Sequence, residues 1–339
     1  MATLKDVAQL ANVSMSTVSI IVNGKAHERS ISDSTIEKVM NAVNELGYAP
    51  NSNARSLRYS QANRPKIALY WPFDTRTNLL SNILTDINMQ IHKNKFDCEL
   101  IVKAYENDYI EKNSKEIINN SFSGVIVGGP SQKDVSFLES LETMVPIVLI
   151  NRSSEKLSTV NVNSKSIALM AVNLLKQAKK DNVSVVGIKD TYTASNQRTK
   201  DFIRECKNES IKINQKNIIY AVNDFNKGID VAKKYIMQKN KSDTIFCESD
   251  VIALSMVYYF NKKNIKIPSE LSIISIGTLG SNFTKYVTPS ITTINVPSDK
   301  IANQIIKILM KKIENKNDKL PAHITVEPEL FVRESFPEQ

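Results

Sequence analysis

No segment of the 339-residue chain approaches the roughly 20 consecutive apolar residues that a bilayer-spanning helix requires, which excludes such a helix. Cysteine is scarce. Cys98, Cys206 and Cys247 stand far apart, odd in number and without a C-x-x-C pair, which argues against a disulfide framework or a zinc site. Cys98 and Cys247 fall in predicted strands, where a thiol ordinarily serves as a small buried hydrophobe. His27, His92 and His323 are equally scattered, and no metal is implied. The chain has no G-x-x-x-x-G-K-S/T, no G-x-G-x-x-G and no G-x-S-x-G; Gly124-Val-Ile-Val-Gly-Gly129 reads as a strand with a tight exit turn. No enzyme signature and no cofactor follow from such a sequence. The N-terminus enters a polar helix carrying Lys5 and Asp6, without an apolar signal core, so a cytoplasmic protein with no membrane partner is the expectation.

What is present is globular. Apolar residues make up 42% and charged residues 23%, and the length suffices for two or three domains, each with its own core. The net charge of +9 invites a nucleic-acid reading, but its distribution weakens that argument. Over residues 1–60 the bases Lys5, Lys25, Arg29, Lys38, Arg55 and Arg58 exceed the acids Asp6, Glu28, Asp33, Glu37 and Glu45 by only one. Charge therefore aids association, while the case for DNA has to come from a motif.

That motif lies in residues 3–58. Leu4, Val7, Ala8 and Ala11 share one face of a predicted first helix, Asn12 and Val13 make a short turn, and Ser14 stands where an N-cap opens a second helix through Asn23. This is helix-turn-helix spacing. Val18, Ile21 and Val22 would face inward, leaving Met15, Ser16, Ser19 and Ile20 near the exposed side that can enter a major groove. A third helix follows an N-cap at Ser32, with Ile36, Val39, Met40, Val43 and Leu46 at helical spacing. Downstream of residue 66, ten short apolar runs alternate with helix-length stretches, which implies parallel sheets covered on both faces and two doubly wound lobes.

Thr3-Leu-Lys-Asp-Val-Ala, Val13-Ser-Met-Ser-Thr-Val-Ser, Asn23-Gly and Leu46-Gly-Tyr-Ala-Pro-Asn-Ser-Asn-Ala-Arg-Ser-Leu-Arg58 occur in order and almost without gaps. In these segments the chain resembles the lactose-repressor/galactose-repressor (LacI/GalR) family of bacterial transcription regulators. The resemblance implies an α/β protein with an all-α helix-turn-helix headpiece over residues 1–49, a hinge helix and linker over 50–65, and a periplasmic-binding-protein-like effector and dimerisation domain over 66–339. Crossings between lobes are expected near Asn163, Val296 and Ala322, giving lobes of 66–163 plus 297–322 and 164–296 plus 323–339. The implied function is repression: a homodimer binding a pseudo-palindromic double-stranded DNA operator, with affinity set by a small effector in the inter-lobe cleft. Control by a protein partner, and a solute-binding protein, stand as the alternatives.

For DNA, the resemblance assigns base reading to Met15, Ser16 and Ile20. Many relatives carry arginine at the last of these positions, able to grip guanine O6 and N7 together; Ile20 offers apolar contact only, or packs against its neighbours. Thr17, Ser19 and Asn23 follow as phosphate contacts or helix packing, and Thr3 and Asn53 complete the DNA-facing set. Leu57 matches the hinge leucine that wedges into a minor-groove step, with Arg58 reaching the groove floor and Arg55 the phosphates. The other reading of Leu57 is packing on the effector domain.

For the effector, strand-end positions give Trp71, Phe73, Asn151, Arg152, Tyr192, Arg198, Ser249, Asp250, Gly277 and Thr278. Arg198 matches a family arginine that holds ligand oxygens and suits a diol or a carboxylate. Trp71 and Phe73 either stack on a ligand or pack the lobe. Two departures matter: Ser249-Asp250 replaces the Asn-Asp of sugar-responsive relatives, and Gly277 stands where an acidic ligand-binding residue is common. A simple sugar is thereby put in question; a smaller, more apolar or anionic effector, such as an anionic metabolite, becomes an alternative to a sugar, and so does a protein partner with no small ligand.

Overall fold

The computed structural model describes residues 4–22, 26, 29, 31–46, 64–73, 77–119, 121–189, 193–315 and 317–337. It divides into two compact units, Met1–Arg64 and Pro65–Gln339.

In the first unit α1 is Leu4–Leu10, α2 Met15–Val22 and α3 Asp33–Glu45. Asn12 takes a left-handed conformation (φ 52°), and the Val13 N–H donates to the Ala8 carbonyl at 3.0 Å, so the chain turns sharply out of α1. Val7, Val18 and Val39, one from each helix, are fully buried together with Ala8, Ala11, Ile21 and Ala42. Each buried valine or isoleucine contributes about 1.5–3 kcal/mol, which is what holds so small a unit together. Met40, expected inward, is exposed, and Ala42 lies on the buried face of α3 with Val39.

The second unit runs β1 (Lys66–Pro72), α4 (Thr77–Lys93), β2 (Glu99–Tyr105), α5 (Ser114–Ile118), β3 (Gly124–Gly128), α6 (Gln132–Ser140), β4 (Ile147–Ile150), β5 (Ser158–Val162), α7 (Ser164–Gln177), β6 (Val183–Ile188), α8 (Thr193–Asn208), β7 (Ile218–Ala221), α9 (Phe225–Met237), β8 (Thr244–Cys247), α10 (Asp250–Lys262), β9 (Ser272–Gly277), α11 (Ser281–Lys285), β10 (Thr292–Asn295), α12 (Ser298–Glu314), β11 (His323–Val326) and β12 (Glu329–Phe331). Two sheets result, ordered β11-β5-β4-β3-β1-β2 and β12-β10-β9-β8-β6-β7. All pairings are parallel except β10 with β12.

Alternation along β1 explains the layering. Ile67, Leu69 and Trp71 enter one core with Ile83 and Ile87 of α4, while Ala68 and Tyr70 enter another with Phe122 and Val135. A strand apolar on both faces needs helices on both sides. In the second lobe the Phe202 and Phe246 rings stack at 3.8 Å between centroids, tying α8 to β8. Cys98, Cys206 and Cys247 are buried, and desolvation pushes the Cys206 and Cys247 thiols up to about 12, so they stay protonated.

One expected boundary moves. Residues 323–326 do not join the second lobe, because His323–Val326 pairs in register with β5 of the first sheet. The third crossing therefore falls between Val326 and Glu329, one short strand later than Ala322. Among the described residues no helix is long and apolar enough to cross a membrane, and no cluster of three or more His, Cys, Asp or Glu is placed to hold a metal.

Candidate functional site

Two regions bring functional side chains together. In the first unit, Ser14 opens α2: its carbonyl accepts from the Val18 N–H at 3.1 Å and its Oγ from the Thr17 N–H at 3.1 Å. The cap fixes which face of α2 turns outward. Val18 and Ile21 are buried, Thr17, Ser19, Ile20 and Val22 are half-buried, and Ser16 and Met15 (50% exposed) are open to a partner. Removing the capping oxygen by Ser14→Ala should cost the headpiece about 1 kcal/mol. The check is thermal melting of the headpiece, and an unchanged transition would deny the cap any weight. Thr3, Asn23, Asn53, Arg55, Leu57, Arg58 and, in the other region, Tyr192 lie outside the described residues.

The second region is a cavity of about 310 Å³ between the lobes of the Pro65–Gln339 unit. Gln132, Asn151, Arg152, Ser153, Asn161 and Val162 line it from the first lobe, and Ser164, Gln197 and Arg198 from the second. Asn151, Arg152 and Arg198 were expected there. Asn151 is held in a left-handed conformation (φ 54°), its Oδ1 accepting from the Val162 N–H at 3.1 Å. Arg152 is buried and spent on backbone: Nε donates to the Pro130 carbonyl at 2.5 Å, Nη1 to Asn151 at 2.6 Å and Nη2 to Gly129 at 3.2 Å. It builds the wall.

Arg198 differs. Desolvation pulls its guanidinium below the usual arginine value, opposed by the charge of Glu248. Glu248 is itself buried, its Oε2 accepting from the Ile188 N–H at 3.2 Å and the Thr199 hydroxyl at 2.5 Å. Asn161 adds an acceptor, because its Oδ1 is buried without a hydrogen-bond partner.

The remaining expected effector positions lie elsewhere. Trp71 is 4% exposed and packs flat on Gly128, where a Cβ would sit 2.1 Å from the ring; Phe73 is 88% exposed, so the two do not form a stacking pair. Ser249 caps α10, accepting from the Val251 N–H at 3.2 Å and donating to Asn223 Oδ1 at 2.5 Å. Asp250 is buried, and its carboxylate accepts from the Thr278 N–H (2.8 Å), the Leu279 N–H (2.8 Å) and the Thr278 hydroxyl (2.9 Å). Burial raises its pKa above the ordinary aspartate value while these donations pull it back. Gly277 lies against its neighbour: a Cβ there would meet Asn295 Oδ1 at 1.9 Å unless that side chain shifted. Asn295 lies beside that position, and its Oδ1 is buried without a hydrogen-bond partner.

Several contacts tie the lobes, among them the ion pair of Lys300 with Glu329 at 2.6 Å. Near the crossings, Asn163 accepts from the Ser166 N–H at 3.1 Å and donates to Glu327 Oε1 at 3.1 Å, joining the first crossing to the third. Hydrogen bonds from Ser166 and Asn163 hold Glu327 below the usual glutamate value. Away from the crossings, Asn82 of α4 donates to the Thr278 carbonyl at 3.0 Å, on the loop that Asp250 holds. Sequence reasoning passed over Gln132, Ser153, Asn161, Ser164 and Gln197. For Asn161 a signal existed, since Ser158-Thr-Val-Asn-Val162 alternates like a half-buried strand.

Residues 3–51 match the profile of the lacI family of bacterial regulatory proteins, and residues 172–336 match a periplasmic binding protein-like domain. The chain is 25% identical over 344 residues to the probable HTH-type transcriptional repressor ExuR of Bacillus subtilis (strain 168), spanning 99% of this chain and 98% of the relative. It is 31% identical to a LacI family transcription regulator from Clostridium acetobutylicum, whose crystal structure superposes with a TM-score of 0.76 over 80% of this chain and 100% of that one. The lac repressor dimer bound to operator and the anti-inducer ONPF shares the fold, with a TM-score of 0.72 at 18% identity over 98% of each chain.

Proposed function

The chain belongs to the LacI family of bacterial transcription regulators, and from that premise we propose that it is a cytoplasmic, dimeric repressor that binds a pseudo-palindromic operator. The observation that carries this reading is the capped second helix, with Met15 and Ser16 exposed at its start and Val18 and Ile21 buried behind them. That is the end of a recognition helix that enters a major groove. Two headpieces related by a two-fold axis read two inverted half-sites.

The inter-lobe cavity is the effector site in this reading. A ligand touching Asn151 and Arg198 spans both lobes, so it binds one lobe arrangement better than another. Only such differential affinity can shift the DNA-binding equilibrium. The hinge around Leu57 would carry that shift to DNA as a minor-groove wedge, by the resemblance described above.

Footprinting of the full chain across genomic DNA tests the proposal. Protected sequences should share an inverted repeat, and affinity should fall linearly with the logarithm of salt concentration as phosphate contacts are screened. Salt-independent retention, or protected sites with no common repeat, would overturn it.

A further inference from the structure

We propose that the end of the second lobe remote from the inter-lobe cavity is a further, sequence-independent contact surface for the phosphates of double-stranded DNA. It goes beyond the operator reading and uses neither the headpiece nor the cavity.

Topology gathers the surface. β6, β7, β8 and β9 run parallel, so their N-terminal ends share one edge of the lobe. Arg198 lies at the other edge, in the helix that follows the C-terminal end of β6. Three fully described segments meet at the N-terminal edge: 176–181 before β6, 207–216 before β7 and 238–243 before β8. Hydrogen bonds join them. The Val183 N–H donates to the Lys212 carbonyl at 3.1 Å, the Asn182 amide to the Lys241 carbonyl at 3.4 Å, and the Gln238 amide to the Lys216 carbonyl at 3.2 Å.

Their composition is one-sided. The segments carry eight lysines against three carboxylates, an excess of five in a chain whose net charge is +9. Two of the carboxylates are occupied, Glu209 by Lys176 at 2.5 Å and Asp243 by Lys180 at 3.1 Å. Lys179, Lys207, Lys212, Lys216, Lys239 and Lys241 are exposed, and none of them forms an ion pair among the described residues. The negative end of a helix dipole accounts for Lys176 and Lys207, each in the last turn of its helix. It does not account for Lys212, Lys216, Lys239 and Lys241, which lie beyond the ends of α8 and α9. Like charges gathered this closely repel one another, and an anionic partner relieves the repulsion.

The chemistry selects duplex phosphate. Lysine meets a phosphate as a flexible point charge and carries no sequence information in doing so. No aromatic residue occurs in the three segments, so they offer no stacking platform for single-stranded bases. No large apolar side chain is exposed in them either, which leaves nothing to insert into a bilayer. In a member of a DNA-binding family whose bases exceed its acids by only one over residues 1–60, the long-range attraction to phosphate is concentrated here instead.

Anisotropy titration of the full chain on a labelled duplex of about 30 base pairs that lacks the operator tests the surface. The background is Met15→Glu with Ser16→Glu, which sets two carboxylates at the start of α2 and turns the headpiece away from phosphate. Binding should persist in this background and weaken roughly a hundredfold from about 50 to about 200 mM salt, the dependence expected of about four phosphate contacts. Lys212→Glu, Lys216→Glu, Lys239→Glu and Lys241→Glu together should abolish it, while arginine at the same four positions should preserve it. Should charge reversal lower the melting temperature, glutamine at these positions decides, with a loss of roughly tenfold or more expected. Unchanged affinity after charge reversal, loss of all binding on the headpiece substitutions alone, or tighter binding of poly-glutamate or of phosphatidylserine vesicles than of the duplex overturns the proposal. Operator footprints are recorded separately with Met15 and Ser16 intact. A charge-reversed protein that loses the unspecific duplex and keeps its footprint supports the surface and leaves the operator reading standing; a wild-type protein that leaves no footprint, beside a background variant that still binds the duplex through these lysines, refutes the operator reading alone.

Discussion

A fragment ending at Arg64 is expected to bind the operator about a hundred- to ten-thousandfold more weakly than the full chain. By its own chemistry the headpiece is expected to bind weakly. Its bases exceed its acids by one over residues 1–60, so the phosphate term is small. Ile20 replaces a side chain able to form a bidentate pair with guanine, a contact worth about 1–3 kcal/mol of discrimination. In the proposed interface Met15 and Ser16 would add only apolar and single hydrogen-bond contacts. Affinity must come from linkage: two headpieces tethered to a dimer of the two-lobed unit meet their half-sites at high effective concentration. Anisotropy titrations of the fragment and of the intact protein on one labelled operator, at fixed salt, measure the ratio. Equal affinities would mean that the lobes contribute nothing to DNA binding, and the regulatory reading would fall with them.

Legibility in the sequence followed the strength of the local physics. The helix-turn-helix was readable because each device is short-range: an apolar face at helical spacing in Leu4–Leu10, a turn at Asn12, and a hydroxyl cap at Ser14. The central strands were readable because burial on both faces forces continuous apolar runs such as Val183–Ile188. β5 and β12 escaped for the opposite reason. Ser158–Val162 is half polar, and Glu329–Phe331 is a three-residue antiparallel edge strand, so neither carries an unbroken apolar signal. Overlooking β5 meant overlooking Asn161, which comes to the cavity through its position next to the end of that strand.

The same limit shows at the lobe boundary. Nothing local distinguishes His323–Val326 from a strand of the second lobe, and only its pairing with β5 assigns it to the first. At the inter-lobe cavity, residue type alone could not separate a guanidinium donating to three carbonyls, as in Arg152, from one lining the cavity, as in Arg198. Tertiary pairing decides such cases.

Asp250→Ala is expected to lower stability by about 3–5 kcal/mol, because three donors of the loop after β9 lose their acceptor. The aspartate side chain was expected to meet the effector. Its carboxylate is instead enclosed, with both oxygens accepting from the loop after β9: Thr278 N–H and Leu279 N–H at 2.8 Å and Thr278 Oγ1 at 2.9 Å. Alanine leaves three donors in a buried site without an acceptor, and each such orphan costs on the order of 1–3 kcal/mol. For a unit of this size about 2–4 °C of melting temperature accompanies each kcal/mol, so a drop of roughly 10 °C is expected. Asp250→Asn separates acceptor number from packing. It preserves the volume and one oxygen but turns an amide N–H toward a donor, so its transition should fall between wild type and alanine. The loop also receives Asn82 from the first lobe through the Thr278 carbonyl, so a folded Asp250→Asn variant should show an altered operator affinity even without ligand. If instead Asp250→Ala melts with the wild-type protein and has lost only its response to the effector, the aspartate faces the ligand and the loop needs no clamp.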